Sequence, residues 1–203
     1  MPTSPGVLTN AMDEIWGMIR EDHSDLLPAV ITISATPAPA NHGPERWSEK
    51  DGVLAGPIMD VPTLQQGAEQ TLIRLLHDAA HGLNWLNGIP DTTTRGQYHN
   101  ARFTDAAEAV GLVRDLTGSK WQVSLSLSDA ARARYAGALA MLADAIEQTL
   151  PHLTIPAADA TAKQRTNRMT AECKCDPPRK FRVGKTILAQ GPIICGICNK
   201  QFA

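Results

Sequence analysis

No stretch of this 203-residue chain approaches the roughly 18 consecutive apolar residues that would cross a bilayer. Asp13 and Glu14 interrupt the first twenty residues, where a secretory signal needs an unbroken apolar run. A cytoplasmic protein without a membrane partner is therefore expected. Cysteine is missing before position 173, and Cys173, Cys175, Cys195 and Cys198 then crowd the end of the chain. That distribution argues against a disulfide network and for a local metal clip. A hydrophobic fraction of 43% and a charged fraction of 20% argue against disorder. The length allows one cored domain with a small satellite and falls short of two full domains.

The net charge of -2 conceals a division. From Lys163 onward nine Lys/Arg face only Glu172 and Asp176, a balance of +7, against -9 for the preceding part. A basic tail beside an acidic body points to a polyanionic partner, nucleic acid foremost.

Apolar spacing predicts a first helix over 10–21, a buried strand over 26–34, a loop over 36–43 and short strands near 46–48 and 52–59. The strongest helical pattern runs over 62–86, where Leu72, Ile73, Leu76, Ala79, Ala80 and Leu83 form a wide apolar face. A second helix is predicted over 98–111 and a C-terminal one over 128–150, opened by Ser128. The domain boundaries expected are 1–155 for the main domain, 156–171 for a linker and 172–203 for a cysteine ribbon.

On the 62–86 helix, His77 and His81 stand four residues apart and project from one face, one turn apart. Both can reach one metal. A catalytic zinc uses three protein ligands and keeps a fourth position for water. Asn84 and Asn87 occupy the places where a metzincin has its glycine and third histidine, which excludes that pattern. His23, His42 and His152 fall in or near loops and helix ends, whereas His99 faces inward four residues before Phe103. His99 is the expected third ligand.

The stretch His77-Asp-Ala-Ala-His81 through His99 and Phe103 resembles the SprT-like zinc metallopeptidases, in particular compact bacterial and phage members. The resemblance implies an α+β zincin-like fold with a small sheet before the motif helix, a catalytic-type zinc, a protein or peptide substrate, and substrates associated with DNA. It departs from the family at Asp78, where glutamate serves as proton acceptor. Aspartate is shorter by about one carbon–carbon bond, roughly 1.5 Å, and a misplacement of about 1 Å can cost on the order of 100-fold in rate. Asp78 is thus a working base in a remodelled site, a weak base in a slow enzyme, or the mark of an inactive relative that keeps zinc for structure. A functional but attenuated metalloprotease is expected, with a free sheet edge receiving an extended peptide. The alternative is a nucleic-acid-binding adaptor.

Four thiolates satisfy tetrahedral zinc and leave no open position, so the cysteine cluster is expected to hold a second, structural zinc. Arg179, Lys180, Arg182 and Lys185 lie between its knuckles, and Arg165 and Arg168 precede them. With only Phe181 and Phe202 available for stacking, contact with DNA is expected to run through the phosphate backbone.

Overall fold

A computed structural model describes residues 6–38, 42–93, 96, 98–115, 124–153 and 168–202. The chain divides into two units, Met1–Pro156 and Ala157–Ala203. Among the described residues, no helix is long and apolar enough to cross a membrane.

In the first unit, helix α1 (Val7–Asp22) buries Leu8, Ala11, Met12, Ile15, Trp16 and Ile19, the three- and four-residue spacing of one helical face. Its Trp16 indole N–H donates to the Leu27 carbonyl at 2.9 Å, which fixes the chain entering strand β1 (Ala29–Ser34). Strands β2 (Ser48–Lys50) and β3 (Val53–Asp60) complete a three-stranded sheet of order β1-β3-β2, with β1 parallel and β2 antiparallel to β3. The β2–β3 turn is Asp51-Gly52, both at positive φ (53° and 75°), the geometry a two-residue hairpin needs.

The helix predicted over 62–86 is two helices. Asp60 caps the short α2 (Val61–Leu64) by accepting from the Thr63 N–H at 2.8 Å. Gly67, at φ 95°, turns the chain before α3 (Ala68–Leu86). Helix α3 is buried on most sides, packed against β3, α1, a later helix α4 (Ala101–Ala109) and the C-terminal helix α6 (Ala136–Thr149). Close approach to the sheet depends on Gly82, whose absent Cβ would sit 3.1 Å from a Leu54 methyl and 3.5 Å from the Trp47 ring.

Two ribbons absent from the sequence expectations flank α4. Strands β4 (Thr92–Thr93) and β5 (Tyr98–His99) precede it, and β6 (Leu112–Asp115) and β7 (Ser124–Leu127) follow. The C-terminal helix over 128–150 is interrupted at Tyr135 into α5 (Asp129–Arg134) and α6, with Ser128 capping α5 through the Ala131 N–H.

The second unit pairs β8 (Arg168–Glu172) antiparallel with β9 (Lys180–Gly184), followed by a short α7 (Lys185–Ala189). Strand β8 opens inside the stretch expected to be linker; the rest of that stretch, 156–167, lies outside the described residues. Ala171, Val183 and Phe202 join Cys173 and Cys195 in a small core of its own.

Candidate metal centres

Helix α3 delivers His77 and His81 to one face, both buried. His99 arrives from β5 and not from a helix. Asn100 accepts hydrogen bonds from the N–H groups of Arg102 and Phe103 and so starts α4 after the histidine. The expected inward orientation persists by another route, because the His99 ring lies on the Phe103 ring at 3.8 Å between centroids.

A fourth imidazole joins these three. His42, set aside in the sequence as a loop residue, has its backbone N–H bonded to the Gly96 carbonyl at 3.0 Å, which ties its loop to the segment between β4 and β5. The six ring-to-ring distances among His42, His77, His81 and His99 run only from 4.7 to 5.1 Å. One ligand atom from each lies within 4.8 Å of the other three. Near-equal spacing in three dimensions is the arrangement of four groups about a common point. A tetrahedral ion with nitrogen ligands about 2.1 Å away would set them about 3.4 Å apart.

The far sides of the rings differ. His81 Nδ1 meets Asp91 Oδ2 at 2.7 Å, and His77 Nδ1 meets Asp78 Oδ1 at 3.1 Å. A carboxylate there holds the ring proton on Nδ1, leaves the Nε2 lone pair for a metal and raises its donor strength. His81 Nε2 lies 3.0 Å from His99 Nε2. His42 Nδ1 instead faces Arg46 Nη1 at 3.4 Å. A guanidinium can only donate and carries positive charge, so it weakens this ring as a ligand where the carboxylates strengthen His77 and His81.

Burial, reinforced by His81 and His99, lowers His42 to about 3, and burial with His81 lowers His99 to about 4. His77 is likewise held well below 6.5, by burial first. These rings are therefore neutral near pH 7, the form that ligates metal.

Asp78, expected as the proton acceptor, is 1% exposed and fully engaged. Its Oδ2 receives Arg46 Nη2 at 2.6 Å and the Ile58 N–H at 3.1 Å. Its Oδ1 faces His77 Nδ1 at 3.1 Å and Arg74 Nε at 3.3 Å. A carboxylate offers about four lone-pair sites; three hydrogen-bond partners and the charge of Arg74 stand against them. Burial alone would raise this carboxyl, but the His77 bond and the charges of Arg74 and Arg46 hold it well below the usual range. Arg74 Nε and Nη2 are buried without a well-directed hydrogen bond, so Arg74 answers to Asp78 through charge.

The same pair occupies backbone on β3. Arg46 Nε donates to the Gly56 carbonyl, and Asp78 takes the Ile58 N–H. Those two groups are not free to pair with an extended peptide, as strand addition there would require.

In the second unit one Sγ from each of Cys173, Cys175, Cys195 and Cys198 lies within 4.8 Å of the others, and all four are free thiols. Cys175 and Cys195 stand 3.8 Å apart, close to the edge of a tetrahedron with about 2.3 Å metal–sulfur arms. The N–H groups of Cys198 and Ile197 lower the Cys195 thiol to about 6, favouring the ligating thiolate. Arg179, Lys180, Arg182 and Lys185 are all exposed, with Lys180 paired to Glu172 at 2.7 Å. Arg165 lies outside the described residues.

Each unit thus carries a cluster able to hold a metal ion. Two participants, His42 and Asp91, were not found from sequence. Neither shares a helical period with the motif, and only folding brings them to it. Compared with models of protein families, with curated proteins and with solved structures, the chain matches none.

Proposed function

We propose that the first unit is a zinc-dependent peptidase centre of the SprT-like kind, with His77, His81 and His99 as its fixed ligands and His42 as an exchangeable fourth. One observation carries this reading: the His42 ring faces the Arg46 guanidinium where His77 and His81 face carboxylates. It is a weaker donor than His77 and His81 and comes from a loop, so it is the one a substrate carbonyl or water can replace. Zinc bound there supplies a Lewis acid and lowers the pKa of a bound water toward about 7. Asp91 orients His81, Phe103 orients His99, and Asp78 orients His77 while tying α3 to β3. Asp78 is a positioning residue in this reading. The cysteine cluster holds a structural zinc, and its basic face supplies contact with DNA phosphates.

A second reading, a zinc-stabilised adaptor without turnover, is favoured by the three hydrogen-bond partners and the Arg74 charge that engage Asp78. The two separate on His42→Ala in the full chain, read by zinc content and by cleavage of an unfolded protein substrate. The peptidase reading expects zinc to stay and cleavage to rise several-fold as the fourth position opens. Loss of that zinc, with no cleavage by either protein, would leave the adaptor.

A further inference from the structure

A cavity of about 540 Å³ adjoins the histidine cluster, and His42 and His81 are among its lining residues. Its walls include Trp47, Trp85, Ile89 and Pro90. Trp47 is 5% exposed and its ring rests on Gly56, where a Cβ would collide with it. That wall is therefore fixed before any ligand arrives. Trp85 stands near the end of α3, and Ile89 and Pro90 follow in the turn after it.

The only carboxylate among the described lining residues, Asp91, is committed to the cluster: its Oδ2 takes His81 Nδ1 at 2.7 Å and Asn84 Nδ2 at 3.3 Å. No lysine or arginine lines the space among those residues. Among the described residues, the cavity offers two indoles and aliphatic carbon to a group entering it, with no free charge to receive a charged one. On the His77 side of the cluster the surroundings are more polar. A cleft of about 400 Å³ is lined there by Thr63, Gln66, Gln70 and Arg74 together with Ile73 and Leu125. The Trp47–Trp85 side is the more apolar of the two, so a chain lying across the centre buries an apolar residue better in one orientation than in the other.

We infer that the Trp47–Trp85 cavity is a side-chain pocket for a bulky uncharged residue, aromatic or branched aliphatic, of a peptide whose carbonyl reaches the metal at the place of His42. The inference deepens the peptidase reading and rests on it for the peptide and its carbonyl. The pocket has the volume of a small-ligand site and the composition of one, largely apolar with a few polar groups. A peptide presenting glycine or aspartate there gains no apolar burial, and aspartate also loses solvation without a partner among the described lining residues.

The test measures binding, apart from turnover, by calorimetry on the zinc-loaded full chain. The probes are N-acetyl-phenylalanine hydroxamate and N-acetyl-glycine hydroxamate, which share a metal-binding head and differ in the side chain. The phenylalanine compound should bind on the order of tenfold tighter or more, the discrimination an apolar pocket achieves. Trp85→Ala and, separately, Ile89→Asp should reduce that preference to less than about threefold while leaving the glycine compound unchanged. Circular dichroism identifies a variant that fails to fold, and either folded variant suffices. Equal binding of the two hydroxamates to the wild-type chain would overturn the pocket. N-acetyl-phenylalanine amide, which has no metal-binding head, separates the two claims. If neither hydroxamate depends on zinc but this amide binds and Ile89→Asp abolishes it, the pocket stands and the peptidase reading falls. If the phenylalanine hydroxamate binds no better than the glycine hydroxamate and the amide does not bind, the pocket is overturned.

Discussion

Arg46 Nη2 stands 2.6 Å from Asp78 Oδ2, with the Asp78 side chain 2% and the Arg46 side chain 9% exposed. This buried pair joins the loop that carries His42 to the helix that carries His77 and His81, and through Gly56 and Ile58 it joins both to β3. Breaking a buried pair leaves the partner charge without compensation, which costs about 3–5 kcal/mol. Asp78→Ala is expected to lose that much in urea denaturation and to weaken metal binding by loosening His77. If Asp78 were only a proton acceptor, Asp78→Asn would keep stability and metal affinity and lose turnover alone.

Asp91 supports His81 from behind at 2.7 Å. Such outer partners are worth about 10- to 100-fold in metal affinity. Asp91→Asn should therefore raise the dissociation constant of the histidine site by that factor in competition with a chromogenic chelator. The cysteine site serves as the internal control, because Asp91 belongs to the other unit. An unchanged constant would show that His81 is held by packing alone.

The neutral histidines predict how stability depends on pH. His42 and His99 sit at about 3 and about 4, against 6.5 for an ordinary imidazole. Below pH 6.5 the unfolded chain takes up protons that the folded chain resists, so stability falls as the pH drops from about 6.5 toward about 4. The urea midpoint of the metal-free chain should be lower at pH 5 than at pH 7. An equal or higher midpoint at pH 5 would mean that the rings are not buried together.

The sequence carried the parts of the centre that follow a helical period. Leu72, Leu76, Ala79, Ala80 and the two motif histidines repeat at helical spacing, and all of them are buried in α3. His99 was legible as an inward residue, but its setting was not, since the side chain of Asn100 delays the helix. The break at Gly67 was hidden because apolar residues continue on both sides of a glycine that φ, not hydrophobicity, makes a turn. His42 and Asp91 left no periodic trace. They reach the site through a loop bonded to Gly96 and through the turn before β4, contacts that exist only once the strands have paired. The engagement of Asp78 was equally invisible, because Arg46 lies 32 residues away along the chain.

The most direct test of the account is metal content per chain, measured by elemental analysis after exhaustive dialysis, for the full protein, His99→Ala and Cys195→Ser. Two independent centres predict two metal ions in the wild-type chain and one in each variant. A wild-type chain that holds a single ion, retained in His99→Ala and lost in Cys195→Ser, would contradict the histidine centre.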